Sequence, residues 1–151
     1  MERMLLLSRV PLFAQLTLEQ LEAIDALMHE VHYMPGETIT REGETGDELF
    51  VVIEGDVSIY KERAEGERIL LSTLGAGSYL GEMAILSDEP RSATALAATP
   101  ARLLSLRGDR LKELILDMPE ISFELLRVLT GRVRTVERRR CDGGSASVTE
   151  A

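Results

Sequence analysis

Three rhythms of apolar and polar residues follow one another along the chain. Up to about Met28 the rhythm is helical, with Leu18, Leu21, Ile24 and Met28 recurring near a 3.6-residue period. Thr17, with Gln20 three residues on, forms a capping-box signature that predicts a helix start at that point. Ahead of it, Val10-Pro11-Leu12-Phe13 predicts an apolar lead-in turn. From Glu30 the period drops to two, predicting strands at Glu30–Met34, Thr38–Arg41, Glu48–Glu54, Val57–Arg63, Arg68–Leu74, Ser92–Ala98 and Arg102–Leu106. Turn signals divide them at Pro35-Gly36, Gly43 to Gly46, Gly55-Asp56, Glu65-Gly66 and Gly75 to Gly77. A spacing of about 8–12 residues between such signals is that of β-sandwiches and barrels, so an antiparallel sandwich or roll is expected.

After Gly108 the helical rhythm returns. Asp109 is the candidate N-cap for a helix over Arg110–Asp117, and Pro119 opens a longer one that can run to about Arg140. Its stripe Leu126, Leu129, Val133, Val136 suits a short coiled-coil seam or a lid over the roll. Gly131 interrupts the stripe, at a cost of about 1 kcal/mol relative to Ala. Residues 141–151 are mostly small and polar, which predicts a disordered tail.

Composition narrows the picture. A chain of 151 residues with 44% apolar side chains can bury a core as one compact domain. No apolar run approaches the roughly 20 residues of a membrane span, so a soluble, cytoplasmic protein with no membrane partner is expected. The single cysteine, Cys141, excludes an internal disulfide and cannot by itself supply a thiolate metal cluster. Net charge is −9: residues 1–126 carry 11 basic and 23 acidic side chains, whereas 127–140 carry six Arg and one Glu. An acidic body is a poor partner for nucleic acid, so any phosphate ligand needs a local positive site.

One segment supplies such a site. Gly81-Glu82-Met83-Ala84-Ile85-Leu86 reads as a single helical turn set between strands. Glycine before a helix start lets backbone N–H groups approach an anion where the helix dipole favours negative charge. Arg91, after Pro90, carries a guanidinium able to pair a phosphate through parallel hydrogen bonds. Glu82 is acceptor-only when ionised and suits a sugar hydroxyl on the same ligand.

Gly81 to Leu86, followed by Pro90-Arg91-Ser92-Ala93-Thr94, resembles the phosphate-binding cassette of the cyclic nucleotide-binding domains. Upstream, Pro35-Gly36-Glu37, Glu42-Gly43-Glu44, Gly46-Asp47-Glu48-Leu49-Phe50 and Gly55 resemble the first strands of the same family, and the likeness covers roughly residues 10–137. The resemblance implies a mainly β fold, an eight-stranded double-stranded β-helix or jelly roll, with an N-terminal helical segment and C-terminal helices. It implies one cyclic nucleotide-binding domain over residues 1–140. By position, Glu82 would bind the ribose 2′-hydroxyl and Arg91 the cyclic phosphate. Backbone groups of Met83, Ala84 and Ser92 would complete the phosphate shell, with Gly81 allowing the close turn. Ser92 after the arginine points to cAMP rather than cGMP, and Thr135 is the candidate purine contact from the last helix. The apolar stripe would serve either a homodimer or closure over the pocket. An effector protein or fused domain would receive the signal, and with eleven residues after Arg140 no helix-turn-helix is expected.

Other chemistries have less to stand on. His29 and His32 lack the later histidine that a metal-dependent cupin would need, and neither has a Ser or Cys partner for nucleophilic catalysis. No catalytic residue, metal or cofactor beyond the nucleotide ligand is expected. The arginines of 132–140 offset the dipole at a helix C-terminus and have no interleaved aromatic residue for nucleic acid. Tyr79 and Phe50 read as core. The rival reading is an interaction or dimerisation module of the same fold with a vestigial cassette.

Overall fold

A computed structural model of the chain describes residues 2–87, 89–123 and 126. The N-terminal helical rhythm resolves into three pieces: α1 (Glu2–Arg9), a 3₁₀ turn (Pro11–Phe13) and α2 (Leu18–Leu27). Pro11 forces the break, since it has no N–H to continue α1 and its fixed φ suits the first position of a new turn. The capping box is present: the Thr17 side chain accepts from the Gln20 N–H and the Gln20 side chain accepts from the Thr17 N–H. Leu21, Ile24 and Met28 are buried as their period predicts, whereas Leu18, at the first helical position, is exposed.

Eight strands follow: β1 (His29–Tyr33), β2 (Thr38–Thr40), β3 (Glu48–Glu54), β4 (Val57–Glu62), β5 (Arg68–Leu74), β6 (Tyr79–Leu80), β7 (Thr94–Ala97) and β8 (Ala101–Arg107). They form two four-stranded sheets, ordered β1-β8-β3-β6 and β2-β7-β4-β5, with antiparallel neighbours throughout. This is the jelly roll expected from the sequence. The short β6 has no alternation to betray it, since two residues cannot display a period; it exists by pairing Tyr79 and Leu80 with Val51 and Phe50.

Two cores share the strands β3 and β8. Phe50, Val52 and Leu103 point between the sheets, where they meet Val57, Ile59 and the small side chains Ala93, Ala95 and Ala97. Leu49, Val51, Leu104 and Leu106 point the other way, into a second core with Leu7, Phe13, Leu21, Ile24, Leu111 and Ile121 from the helical segments. A strand buried on both faces reads as a continuous apolar run rather than an alternation, which accounts for Leu49-Phe50-Val51-Val52-Ile53.

Between β6 and β7 the chain forms α3 (Glu82–Ser87), longer than the single turn expected. After β8 comes α4 (Gly108–Asp117), and residues 119–123 are again helical. Asp109 is not the N-cap: the helix begins at Gly108, two residues earlier than expected, with Arg107 at the cap position and the Gly108 N–H donating to the Asp47 carbonyl at 2.6 Å. Asp109 instead holds Arg107 at 2.9 Å. The proposed 141–151 tail, Leu129, Gly131, Val133, Thr135, Val136 and Cys141 lie outside the described residues.

Candidate functional site

Gly81 sits at the end of β6 with φ +97°, a left-handed conformation that a side chain would strain, and turns the chain directly into α3. Glu82 follows as the first residue of that helix and is 1% exposed; Ala84 is also buried, and Met83 half-buried. The first N–H groups of a helix have no acceptor within it, so α3 begins with donors facing the Gly81 turn.

Arg91 is 4% exposed. Its position is fixed by the loop between β2 and β3, more than forty residues away in sequence. The Arg91 N–H donates to the Glu44 carbonyl at 2.8 Å, and the Arg91 carbonyl accepts from the Gly43 N–H at 2.9 Å. From the side chain, Nη2 donates to the Glu48 carbonyl at 2.9 Å. All three contacts use main-chain atoms of the loop and of Glu48 at the start of β3, so the side chains remain available for other tasks: the Glu48 carboxylate bonds the Ser105 hydroxyl. The Gly81 turn lies against the same guanidinium: a Cβ on Gly81 would lie 2.3 Å from Nη1 and 2.6 Å from the Glu48 carbonyl.

The remaining guanidinium nitrogens, Nε and Nη1, are closed to solvent and have no hydrogen-bond acceptor among the described residues. Buried charged donors of this kind are costly, and native proteins rarely keep them without a use. Around them lie the carboxylates of Asp47, Glu48, Glu82 and Glu44. Burial pulls the Arg91 pKa below its ordinary value, and the four acids pull it back up. The cation is thus retained by a field of carboxylates while part of its donor set stays unused, an arrangement chemically suited to an anion with acceptor oxygens.

Ser92 is positioned through its carbonyl, which accepts from Lys61 Nζ at 2.8 Å; the same ammonium pairs Glu42 at 2.6 Å. Lys61 is a residue that the sequence reading missed, as its role depends on β4 lying against β7. The fold therefore brings Gly81, Glu82, Met83, Ala84, Arg91 and Ser92 into one region, joined by the loop from Gly43 to Glu48. Thr135 is not among the described residues. Phe50 is core, and Tyr79 is partly buried against the helical core. His32 Nε2 lies 2.8 Å from Glu30 on the surface of β1. Among the described residues no group of three or more His, Cys, Asp and Glu could hold a metal ion, and no helix is long and apolar enough to cross a membrane.

Comparison with known proteins gives a consistent result. Residues 30–117 match the pattern of the cyclic nucleotide-binding domain. A CRP-like cAMP-activated global transcriptional regulator of Mycobacterium tuberculosis is 34% identical over 137 residues, covering 91% of this chain and 61% of its own length. A cyclic nucleotide-gated potassium channel of Rhizobium etli is 39% identical over 118 residues, covering 78% of this chain and 31% of the channel. Among solved structures, the catabolite activator protein of Thermus thermophilus superposes with a TM-score of 0.80 at 29% identity, covering 85% of this chain and 61% of that one. The chain thus spans about three fifths of the length of the regulators and under a third of the channel.

Proposed function

The chain belongs to the cyclic nucleotide-binding domain family, a family of regulatory domains, and from that premise we propose that it is a cAMP sensor whose ligand is anchored by Arg91. The observation that carries the proposal is the pair of buried donors Nε and Nη1 of Arg91, left without acceptors beside the start of α3. A cyclic phosphate supplies acceptor oxygens and a single negative charge. Backbone groups of Met83, Ala84 and Ser92 complete its shell over the Gly81 turn, and Glu82 accepts from the ribose 2′-hydroxyl. Ser92 after the arginine favours cAMP over cGMP, in line with the cAMP-activated regulator of M. tuberculosis.

The domain carries out no reaction in this proposal. Its ligand shifts an equilibrium between arrangements of the C-terminal helices, and it can do so only to the extent that it binds one arrangement more tightly. The output passes to a partner chain or a fused effector, with the Leu126, Leu129, Val133, Val136 stripe providing a homodimer contact. The strongly acidic charge of residues 1–126 argues against nucleic acid as the domain's own ligand.

Calorimetric titration of nucleotide-stripped protein with cAMP and cGMP tests this reading. Saturable binding, tighter for cAMP, is expected. Arg91→Ala should weaken it by about 2–5 kcal/mol, the usual loss when one partner of a buried charged pair is removed. A folded wild-type chain that binds neither nucleotide would favour an interaction module with a vestigial cassette.

A further inference from the structure

Gly46 lies in the loop between β2 and β3, and its conformation does not explain why it is glycine. Gly43 in the same loop has φ +88° with open space where a Cβ would be, so its backbone demands glycine. Gly46 is the reverse case. Its φ lies outside the left-handed region, and the atoms closest to a Cβ all belong to one distant side chain: Arg91 Nε at 2.2 Å, Cζ at 2.4 Å and Cδ at 2.8 Å. A Cβ at such distances forces the guanidinium to shift, and with it Nη2, which donates to the Glu48 carbonyl at 2.9 Å. Gly81 also lies against the guanidinium, where a Cβ would lie 2.3 Å from Nη1.

From this we infer that Gly46 is a positioning residue for the phosphate contact: the missing Cβ is the seat in which the Arg91 guanidinium is held. The inference rests on the cassette reading above and extends it to a loop more than forty residues away in sequence. The loop's backbone sets where Arg91 begins, through Gly43 and Glu44, and the space over Gly46 sets where its charged end comes to rest. A methyl group at position 46 therefore displaces the donors rather than removing them. It should act on ligand affinity through Arg91 alone.

A double-mutant cycle over Gly46→Ala and Arg91→Lys tests this, with cAMP affinity measured by calorimetry and ligand-free melting temperature measured in parallel. Gly46→Ala should weaken cAMP binding about tenfold or more in the wild-type background. It should cause little further loss in the Arg91→Lys background, where no branched guanidinium fills the seat. Gly66→Ala, in the turn between β4 and β5, is the comparator: with φ +78° and open space at its Cβ, it should lower the melting temperature while leaving affinity close to wild type. Affinity for Gly46→Ala within about twofold of wild type, or an equal loss in both backgrounds, would overturn the inference.

Failure of the cassette reading is separable. If the wild-type chain binds no cyclic nucleotide, the ligand-free protein decides whether the seat exists. Gly46→Ala must then lower the melting temperature in the Arg91 chain, and much less in an Arg91→Ala chain that leaves the seat empty. Equal lowering in both would overturn the seat as well.

Discussion

Two side chains other than Arg91 carry predictions of their own. Glu82, buried at the start of α3, is assigned to the ribose, so Glu82→Ala should weaken cAMP by about 1–3 kcal/mol while barely altering the affinity of 2′-deoxy-cAMP. Equal losses for both ligands, measured by competition, would remove Glu82 from the sugar. Tyr33 makes a different kind of prediction. Burial, reinforced by the charges of Glu48 and Glu37, raises its pKa above the ordinary 10.0. The folded state thus holds the phenol proton more tightly than the unfolded chain does. Stability is unaffected by this group below its ordinary pKa and falls as pH rises through the raised one. Tyr33→Phe, which cannot ionise, should lose less of its melting temperature than wild type between neutral pH and about pH 11. Parallel alkaline profiles for the two proteins would contradict the assignment.

At the scale of elements, α2 depends on its cap. Thr17→Ala removes one half of the reciprocal capping box and should destabilise the protein by about 1 kcal/mol, read by denaturant unfolding. An unchanged midpoint would mean that burial of Leu21 and Ile24 fixes α2 without the cap. This box was legible in the sequence, as were β3 and β5 to the residue, because caps, apolar runs and the turn residues that bound them are local signals. What was not legible depends on chain segments far apart. β6 is defined by its pairing with β3, and the start of α4 by the Asp47 carbonyl. The cassette followed the same division: Gly81, Glu82 and Arg91 stand out within a dozen residues, whereas Gly46, the Glu48 carbonyl and Lys61 join the site only once the sheets close. Gly46 was visible as a turn signal, but its contact with Arg91 was not.

The whole molecule is a jelly roll with one core between its sheets and another beneath its helices, and β3 and β8 belong to both. Loop 43–47 runs directly into β3 at Glu48, so it links the candidate anion site to the strands that carry the helical core. A nucleotide that engages Arg91 is in this way connected through β3 and β8 to α4, whose first N–H is held by Asp47 of the same loop. The central claim concerns two donors, so the most direct measurement observes one of them. In nitrogen-edited NMR of uniformly labelled protein, the Arg91 Nε–H resonance, assigned by its disappearance in Arg91→Lys, should move downfield as cAMP is added, as expected when a buried donor gains an anionic acceptor. A saturating titration that shifts other resonances and leaves Arg91 Nε–H in place would contradict the account.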